Sequence, residues 1–396
     1  MTTDFVVVGG GIGGAVLAEL LGRGGKQVVV LERSSAPPQG VRPEILWPRT
    51  MEVLFSLGPR EVWELEAVLP LRGVEFHDGR RIVPLITADL LRDAGVQPFS
   101  TNPNQTRESL LRLGSFELRR GVEAIAILKE KGRIAGVRIR DTATREEGEI
   151  EAHYTVGDDG AQSLVRKACG IDMQTREFPM DFVCFECAWP AAVPAATARF
   201  WLNAERRTSG IAGLAIVPLP NARGAGLVPL LSRVFDATPS AEASWSRFCA
   251  ADPTVREVIR DRRLPHDFVR VRRPWGHAPR YGGEGAFLIG DAAHPVSPAG
   301  GQGANMAVAD ACVLAELALR GSRDLLVEYE RRRRPANRRS MIPTRTAALL
   351  LSLPQWLPPS SVFVPAVRSL ARSPSLLRYL LRSASTLFQE AGVRSA

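Results

Sequence analysis

Cysteine and histidine are both scarce in this sequence. Its 396 residues include five cysteines, an odd number at irregular spacings, which excludes a disulfide framework and favours a reducing cytoplasm. Cys184 and Cys187 form a C-x-x-C pair, but positions three apart on a strand face opposite sides, so we predict two plain buried cysteines. The five histidines form no H-x-x-x-H or H-x-x-E-H pattern, so we expect no metal site.

Lysine is nearly absent from the basic residues. Of 51 lysines and arginines only four are lysines, Lys26, Lys129, Lys131 and Lys167. The net charge of +9 would suit nucleic acid or an anionic membrane, but an excess of arginine is typical of GC-rich codon usage, so we expect no nucleic-acid partner. One dense run, residues 331–334, is interpreted as a solvated helix end, with an acidic partner or a lipid as the alternative.

The sequence also lacks an apolar run that could cross a membrane as one helix. The longest apolar stretch, residues 347–367, is interrupted by four prolines, whereas a spanning helix needs about 20 predominantly apolar residues. The apolar N-terminal segment has no basic flank before it, unlike a signal peptide. We therefore expect a cytoplasmic protein.

The patterns that are present predict an α/β protein. At about 150 residues per domain, the length suggests two to three domains. Residues 5–8 and 27–31 predict buried strands on either side of a helix, which together form a β-α-β unit. From residue 175 to about 277, strand-like runs alternate with turns, which predicts a mostly antiparallel sheet inserted into the first domain.

A glycine-rich turn joins the first predicted strand to the first helix. Gly9, Gly11 and Gly14 form a G-x-G-x-x-G pattern, in which glycines provide a tight turn, close approach to a pyrophosphate and close helix packing. The pyrophosphate would lie at the helix N-terminus, where free N–H groups favour negative charge. Glu32 ends the second strand, where its carboxylate can bond both ribose hydroxyls and would repel a 2′-phosphate. This unit predicts a dinucleotide site that is not for NADP.

Two later segments identify the cofactor. Residues 157–166 read GDDGAQSLVR, and residues 286–305 read AFLIGDAAHPVSPAGGQGAN. Together with the glycine turn, in this order and at these separations, they resemble the p-hydroxybenzoate-hydroxylase-like flavoprotein monooxygenases, which include the ubiquinone-pathway hydroxylases. The resemblance covers residues 1 to about 345, is specific at the three motifs and implies FAD as the cofactor.

The resemblance implies a domain division and a set of FAD contacts. A Rossmann-like FAD-binding domain (residues 1–70, 101–175 and 277–345) would carry an inserted, mostly antiparallel β-sheet substrate domain (71–100 and 176–276) and a helical C-terminal segment (346–396). The expected FAD-binding residues are Gly9, Gly11, Gly14, Glu32, Arg33, Arg42, Gln105, Arg107, Asp159, Gly160, Asp291, Pro298, Gly300, Gly301, Gln302, Gly303 and Asn305.

Several of these positions have an implied role. Gln105, or Arg107 beside it, matches the helix that contacts the ribityl chain. Asp159 and Gly160, completed by Arg166, match a motif linked to both FAD and NAD(P)H. Asp291 matches the acid that binds the ribityl hydroxyls. No catalytic residue is assigned.

Two residues of this set are expected beside the flavin itself. Arg42 matches an arginine near the pyrophosphate and flavin, and Pro298 lies in the loop beside the ring. Many relatives have a second proline where this chain has Ser297, and His294 is expected to be a turn residue bonded to backbone.

The activity implied by the resemblance is monooxygenation. NADH or NADPH would reduce the flavin, O2 would form a C4a-hydroperoxide, and an electron-rich aromatic, quinone-like or polyketide-like small molecule would be hydroxylated. A prenyl-chain reductase, a halogenase and a non-catalytic flavin-binding redox sensor are the alternatives. The halogenase is disfavoured because the sequence contains no W-x-W.

The end of the chain predicts an amphipathic helix over residues 374–389. Its apolar face comprises Leu376, Leu377, Leu380, Leu381, Ala384, Leu387 and Phe388. Packing on the same chain, where the helix would close the substrate side, is the favoured interpretation. A dimer contact and a membrane surface are the alternatives, the latter because the resembling hydroxylases use lipophilic substrates. We expect a monomer or a homodimer.

Overall fold

The computed structural model describes residues 2–77, 81–177, 180–203, 209–231, 239–250, 252–260, 262, 268–271, 274–298, 301–351 and 359–386. The loop residue Gly300, and Leu387 and Phe388 of the predicted terminal helix, lie outside these ranges.

The described residues form twenty strands. Strands β1 to β10 are Thr3–Val8, Val28–Glu32, Glu44–Leu46, Val68–Pro70, Gly73–His77, Ile82–Ile86, Phe99–Thr101, Glu117–Arg120, Val122–Glu130 and Arg133–Asp141. Strands β11 to β20 are Glu147–Gly157, Thr175–Arg176, Met180–Ala188, Thr197–Leu202, Gly213–Leu219, Arg223–Leu231, Val269–Val271, Trp275–Gly276, Gly282–Gly283 and Ala286–Leu288.

The same residues form twelve helices. Helices α1 to α6 are Ile12–Arg23, Pro48–Leu57, Arg60–Glu66, Ala88–Ala94, Pro103–Leu111 and Leu164–Ala168. Helices α7 to α12 are Pro239–Ala250, Pro253–Ile259, Gly303–Leu319, Leu325–Leu351, Pro359–Ala371 and Pro374–Thr386. No helix in the described part of the chain is both long and apolar enough to cross a membrane.

A parallel sheet in the order β8-β2-β1-β11-β20 forms the first layer. Its central strands are almost continuously apolar because parallel strands are covered on both faces; Val6, Val7 and Val30, for example, have no exposed surface. The predicted β-α-β unit is β1-α1-β2, and α1 packs against α9. Strand β19 pairs antiparallel with β20, and β9 and β10 extend β11 as an antiparallel hairpin.

The carboxyl ends of four parallel strands carry the motif residues. Strand β1 leads into Gly9, β2 ends at Glu32, β11 leads into Asp158, and β20 leads into Gly290. In open α/β sheets, ligands bind outside the carboxyl ends of the strands. The three sequence motifs therefore meet at the edge where a cofactor is expected.

A second sheet has the order β17-β13-β16-β15-β14-β5-β6. Its pairings are antiparallel except for the parallel pair β14–β5. Cys184 and Cys187 on β13 are free, buried and in separate apolar clusters, as predicted from the two-residue period of a strand. Burial raises the pKa of their thiols to about 12 and about 11.

Two predictions about the C-terminal third are wrong. Residues 331–334 lie inside α10 rather than at a helix end; Arg331 and Arg334 are exposed, as predicted, but Arg333 is only 1% exposed. The apolar face of α12 is narrower than predicted, since Leu377 and Leu381 are buried but Leu376 and Leu380 are exposed. The reason is that α12 packs chiefly on α4, with fewer contacts to α11, and Leu377 and Leu381 form the stripe that α4 covers.

Candidate cofactor site

The glycine turn between β1 and α1 fits closely against the chain that follows β11. Gly9 has a φ of +102°, and a Cβ there would lie 2.3 Å from the carbonyl oxygen of Asp158. A Cβ on Gly11 would lie 2.3 Å from Asp158 Oδ2. Position 9 therefore requires glycine, and a side chain on Gly11 would displace the Asp158 carboxylate. Gly11 is the N-cap of α1 and gives this helix no side-chain cap.

Asp158 lies where all three motifs meet, and sequence reasoning missed it. Its Oδ2 accepts a hydrogen bond from the Gly14 N–H at 2.9 Å, and its Oδ1 is 3.2 Å from where a Cβ on Gly290 would lie. Burial, with repulsion from Asp159 and Asp310, raises its pKa to about 8, although the Gly14 and Gly11 N–H groups lower it. Asp158 is the first acid of the GDDG segment, but the resemblance assigns a role only to the second acid, Asp159.

Glu32 is 8% exposed at the end of β2. Its Oε1 accepts from the Ser34 N–H at 2.8 Å, and its Oε2 lies 3.6 Å from Arg107 Nη1. Gln105 and Arg33 are exposed. The structure thus brings Arg107, rather than Gln105, to the acid that was predicted to hold the adenosine ribose.

Asp159 and Arg166 connect the second motif to the third. Asp159 Oδ2 accepts from the backbone N–H groups of Leu164 and Val165, at 2.6 and 3.2 Å, and so caps α6. Burial raises the pKa of Asp159. Arg166, which is buried, donates to the carbonyl oxygens of Ala161 at 2.7 Å and Ala292 at 2.8 Å. Next to Asp159, Gly160 has a φ of +76°.

Asp291 is half-buried in a short 3-10 turn, Gly290–Ala292, that follows β20. This turn is anchored from behind by Asp310 of α9, whose Oδ2 accepts from the Gly290 N–H at 3.1 Å. The prediction for His294 is wrong, because its Nε2 lies 2.5 Å from Asp310 Oδ2 rather than on backbone. A fully buried carboxylate attracts the imidazole more strongly than a peptide carbonyl does.

Behind Asp310 lies a buried polar network that includes Arg333, one of the four arginines at residues 331–334. Arg333 Nε is 2.7 Å from Asp310 Oδ1 and Arg333 Nη2 is 2.6 Å from Asn337 Oδ1. Asn337 donates to Asp310 Oδ1 at 2.8 Å and to the Tyr281 hydroxyl at 3.1 Å. Burial would raise the pKa of Asp310, but His294 and Arg333 lower it to about 2.

The loop that leads into α9 is tied to the segment around β3. Asn305 has no exposed surface, and its Oδ1 accepts from the Trp47 N–H at 2.9 Å and the Thr50 hydroxyl at 2.8 Å. Its Nδ2 donates to the carbonyl oxygens of Ile45 and Gly301, both at 2.9 Å. Its amide thus makes four hydrogen bonds within the chain, which is its full capacity.

Pro298 and residues 301–303 are the described parts of this loop before Asn305. Pro298 is half-buried, Gly301 donates its N–H to the Pro298 carbonyl at 3.1 Å, and Gln302 is buried. Gly303 begins α9, which has no side-chain cap from its N-cap residue Gln302.

Arg42 lies at the contact between the β3 segment and the second sheet. It is half-buried, and its charge acts on Cys184 of β13 by lowering the pKa of that thiol, against the larger effect of burial. The neighbouring Val41 is buried in a cluster with Leu219 and Ala225. The segment that carries Arg42 therefore contacts the second sheet through Val41.

An apolar cavity of about 130 Å3 lies beside the β3 segment. Trp47 belongs both to the cluster around this cavity and to the cluster that contains Val296 and Met306 near the loop. Leu381 of α12 closes one side of the cavity. The lining residues are Ile45, Trp47, Leu71, Gly73, Val74, Ile86, Leu91, Pro98 and Leu381.

The donors and acceptors at the carboxyl edge suit a dinucleotide. Helices α1 and α9 both begin there, and neither N-cap residue caps its own helix; in α1 the Gly14 N–H donates instead to Asp158. Helix N-termini favour anions. Asp159 Oδ1, Gln302 Oε1 and His294 Nδ1 are buried and have no hydrogen-bond partner among the described residues. Buried polar atoms are normally paired. The residues present therefore fit a polar, anionic cofactor such as FAD.

Comparison with known proteins gives the same cofactor. Residues 2–342 match the family described as FAD binding domain. The chain is 29% identical to 6-methylpretetramide 4-monooxygenase of Streptomyces rimosus, over 98% of this chain and 96% of that one. It is 27% identical to squalene epoxidase 1 of Arabidopsis thaliana over 81% of its own length, and spans 60% of that relative.

A solved structure shows the same fold. The crystal structure of p-nitrophenol 4-monooxygenase from Pseudomonas putida DLL-E4 matches with a TM-score of 0.77 at 19% identity, over 100% of this chain and 99% of that chain. The chain belongs to the FAD binding domain family, and it is an FAD-dependent monooxygenase of the p-hydroxybenzoate-hydroxylase-like superfamily.

Proposed function

We propose that this protein hydroxylates a largely apolar aromatic or polyketide-like small molecule, with NADH or NADPH as the electron donor. The observation that carries this proposal is the meeting of three motif segments at one sheet edge, between the N-termini of α1 and α9. The substrate class is supported by the relative that acts on 6-methylpretetramide. When bound, FAD supplies the redox chemistry and the reaction with O2.

Each part of the proposed FAD site has a defined physical task. The N-terminus of α1 would hold the pyrophosphate, and Glu32 would accept hydrogen bonds from the adenosine ribose. Asp291 would accept from the ribityl hydroxyls, while the N-terminus of α9 would stabilise negative charge on the reduced ring. Asn305 would position the loop beside the ring, because its own hydrogen bonds are all made within the chain.

We propose the second sheet as the substrate domain and the apolar cavity as the site for an apolar part of the substrate. The cavity volume of about 130 Å3 is close to that of a buried apolar cavity that binds benzene, about 150 Å3. Trp47 lines this cavity and also packs against the cluster that contains Val296 and Met306.

The proposed task of the protein is to orient the substrate and to exclude water from the reacting oxygen. The apolar lining of the cavity serves the second purpose. We propose that the nicotinamide docks transiently near Arg42 and Asp159, since the sequence contains no second glycine-rich β-α-β unit for it.

The test is a substrate screen with the FAD-loaded protein. Aromatic and polyketide-like compounds should stimulate NADH or NADPH oxidation, with one hydroxylated product formed for each O2 consumed. A prenyl-chain reductase would instead oxidise the nicotinamide without O2 and saturate a double bond. A redox sensor would show no catalytic turnover with any compound, and either result would contradict the proposed function.

A further inference from the structure

We propose that Asp158 couples FAD binding to the uptake of one proton, so that FAD binds to the protonated form of this carboxyl. The proposal rests on the proposed FAD site, in which the pyrophosphate lies at the N-terminus of α1. It concerns a residue that the motifs do not assign, and it can fail while FAD binding itself stands.

The position of the carboxyl carries the argument. Asp158 Oδ2 accepts the Gly14 N–H at 2.9 Å and would be 2.3 Å from a Cβ on Gly11. This carboxyl therefore occupies the first turn of α1, where the negative pyrophosphate is proposed to bind. Two negative groups that share one helix N-terminus repel each other, and one of them must be neutralised. The pyrophosphate is a strong acid, so the proton goes to Asp158.

The charges around Asp158 favour neutralisation rather than pairing. Facing it are Asp159 from the same segment and Asp310 from α9, both of which raise its pKa. No cation acts on Asp158 among the described groups that shift its pKa, and its only favourable partners are the N–H groups of Gly14 and Gly11. Arg166 and Arg333 are engaged elsewhere, with backbone carbonyls and with Asp310 respectively.

The linkage between proton binding and FAD binding determines how FAD affinity changes with pH. If FAD raises the pKa of Asp158, the complex binds more protons than the free protein, and affinity falls as pH rises through the free-protein pKa. The free-protein pKa is about 8. The dissociation constant for FAD should therefore be nearly constant below this pH and rise about tenfold per pH unit above it. The proton that Asp158 takes up comes from solvent.

The experiment measures FAD dissociation constants from pH 6 to 9.5 by flavin fluorescence, for the apoprotein and two isosteric variants. Asp158→Asn mimics the protonated carboxyl, so it should bind FAD with little pH dependence and more tightly than the natural protein at pH 9.5. Asp159→Asn removes a charge that raises the pKa of Asp158, so the rise with pH should persist and begin at a lower pH. Titration of FAD itself is common to all three proteins and cancels in their ratios.

Calorimetry in two buffers of different ionisation enthalpy provides a second readout. FAD binding to the natural protein near pH 9 should take up close to one proton, and binding to Asp158→Asn should take up none. Three results would overturn the proposal: a flat profile for the natural protein, loss of the pH dependence in Asp159→Asn alone, or weaker FAD binding by folded Asp158→Asn at every pH. Thermal unfolding of each apoprotein establishes that it is folded.

Discussion

Arg333 Nε lies 2.7 Å from Asp310 Oδ1, and the two side chains are 1% and 0% exposed. The pair joins α10 to α9, and through the Gly290 N–H it also supports the turn that carries Asp291. A buried ion pair adds little net stability compared with apolar residues, but removing one partner leaves the other charged and buried. This pair is therefore the most sensitive polar contact behind the proposed flavin site.

Asp310→Asn should lower the free energy of unfolding by about 3–5 kcal/mol, because Arg333 would lose its carboxylate in a dry environment. Urea unfolding at pH 7 measures this loss. The control is Arg332→Gln, next to Arg333 on α10. It removes a partly exposed pair with Glu316 at 2.9 Å and should lower the free energy of unfolding by less than about 1 kcal/mol. Equal losses in the two variants would contradict the special role of the buried pair.

The same pair predicts how stability depends on acid. The pKa of Asp310 is about 2 in the folded protein, below its ordinary 3.8. A depressed folded pKa means that the unfolded chain binds the proton more readily, so the stabilisation is complete above about pH 4 and is lost as pH falls toward 2. The stability difference between the natural protein and Asp310→Asn should therefore be constant from pH 7 to 5 and shrink below about pH 4. If this stability difference grew as the pH fell, the pKa of Asp310 would not be lowered in the folded protein.

Local patterns predicted much of this architecture. Strand β1, helix α1 and strand β2 follow from apolar runs around a glycine turn. The opposite faces of Cys184 and Cys187 follow from the period of a strand. Each of these features is determined by residues close together in sequence.

The features that were missed depend on residues far apart in the chain. Asp310 and Arg333 are 23 positions apart on two helices, and no local pattern shows that such charges meet in the interior. Asp158 was overlooked because its role depends on contact with Gly14, 144 positions earlier. The apolar face of α12 was predicted too wide because helical periodicity does not show how much of a face a neighbouring helix covers.

Asp291→Ala should weaken FAD retention. It removes a carboxylate proposed to accept two hydroxyl hydrogens, each such charged bond contributing roughly 1.5–3 kcal/mol before compensation. Equilibrium dialysis of the apoprotein against FAD measures the change. The control is Asp89→Ala, since Asp89 is an exposed acid on α4. If neither variant altered the dissociation constant, Asp291 would not contact the cofactor.

Glu32→Ala should raise the FAD dissociation constant by roughly tenfold to a hundredfold, which corresponds to one or two charged hydrogen bonds. Turnover at saturating FAD should change far less, because the adenosine end of the cofactor is remote from the reacting ring. Glu32→Gln keeps the shape beside Arg107 and should give an intermediate dissociation constant. Lost turnover with unchanged FAD affinity would assign Glu32 a different role.

The terminal helix should be held by two leucines rather than by its whole apolar face. Leu377 and Leu381 pack on Leu90 and Leu91 of α4, and Arg382 donates to the carbonyl oxygens of Asp93 and Ala94 at 3.0 and 3.1 Å. Leucine-to-alanine changes at buried sites cost about 2–5 kcal/mol each. Leu377→Ala and Leu381→Ala should therefore each lower the free energy of unfolding within this range, and truncation after Ser373 should also be destabilising.

The matched control is the double variant Leu376→Ala/Leu380→Ala, because these leucines are 48% and 44% exposed on the same helix. It should unfold with nearly the same free energy as the natural protein, since little apolar surface returns to water. Co-sedimentation with anionic liposomes tests the alternative that the exposed leucines of α12 bind a membrane surface. If the natural protein binds liposomes, and truncation after Ser373 abolishes binding without lowering thermal stability, α12 serves a membrane surface rather than intrachain packing. We expect no liposome binding and a lower thermal stability after truncation, because Leu381 also lines the apolar cavity.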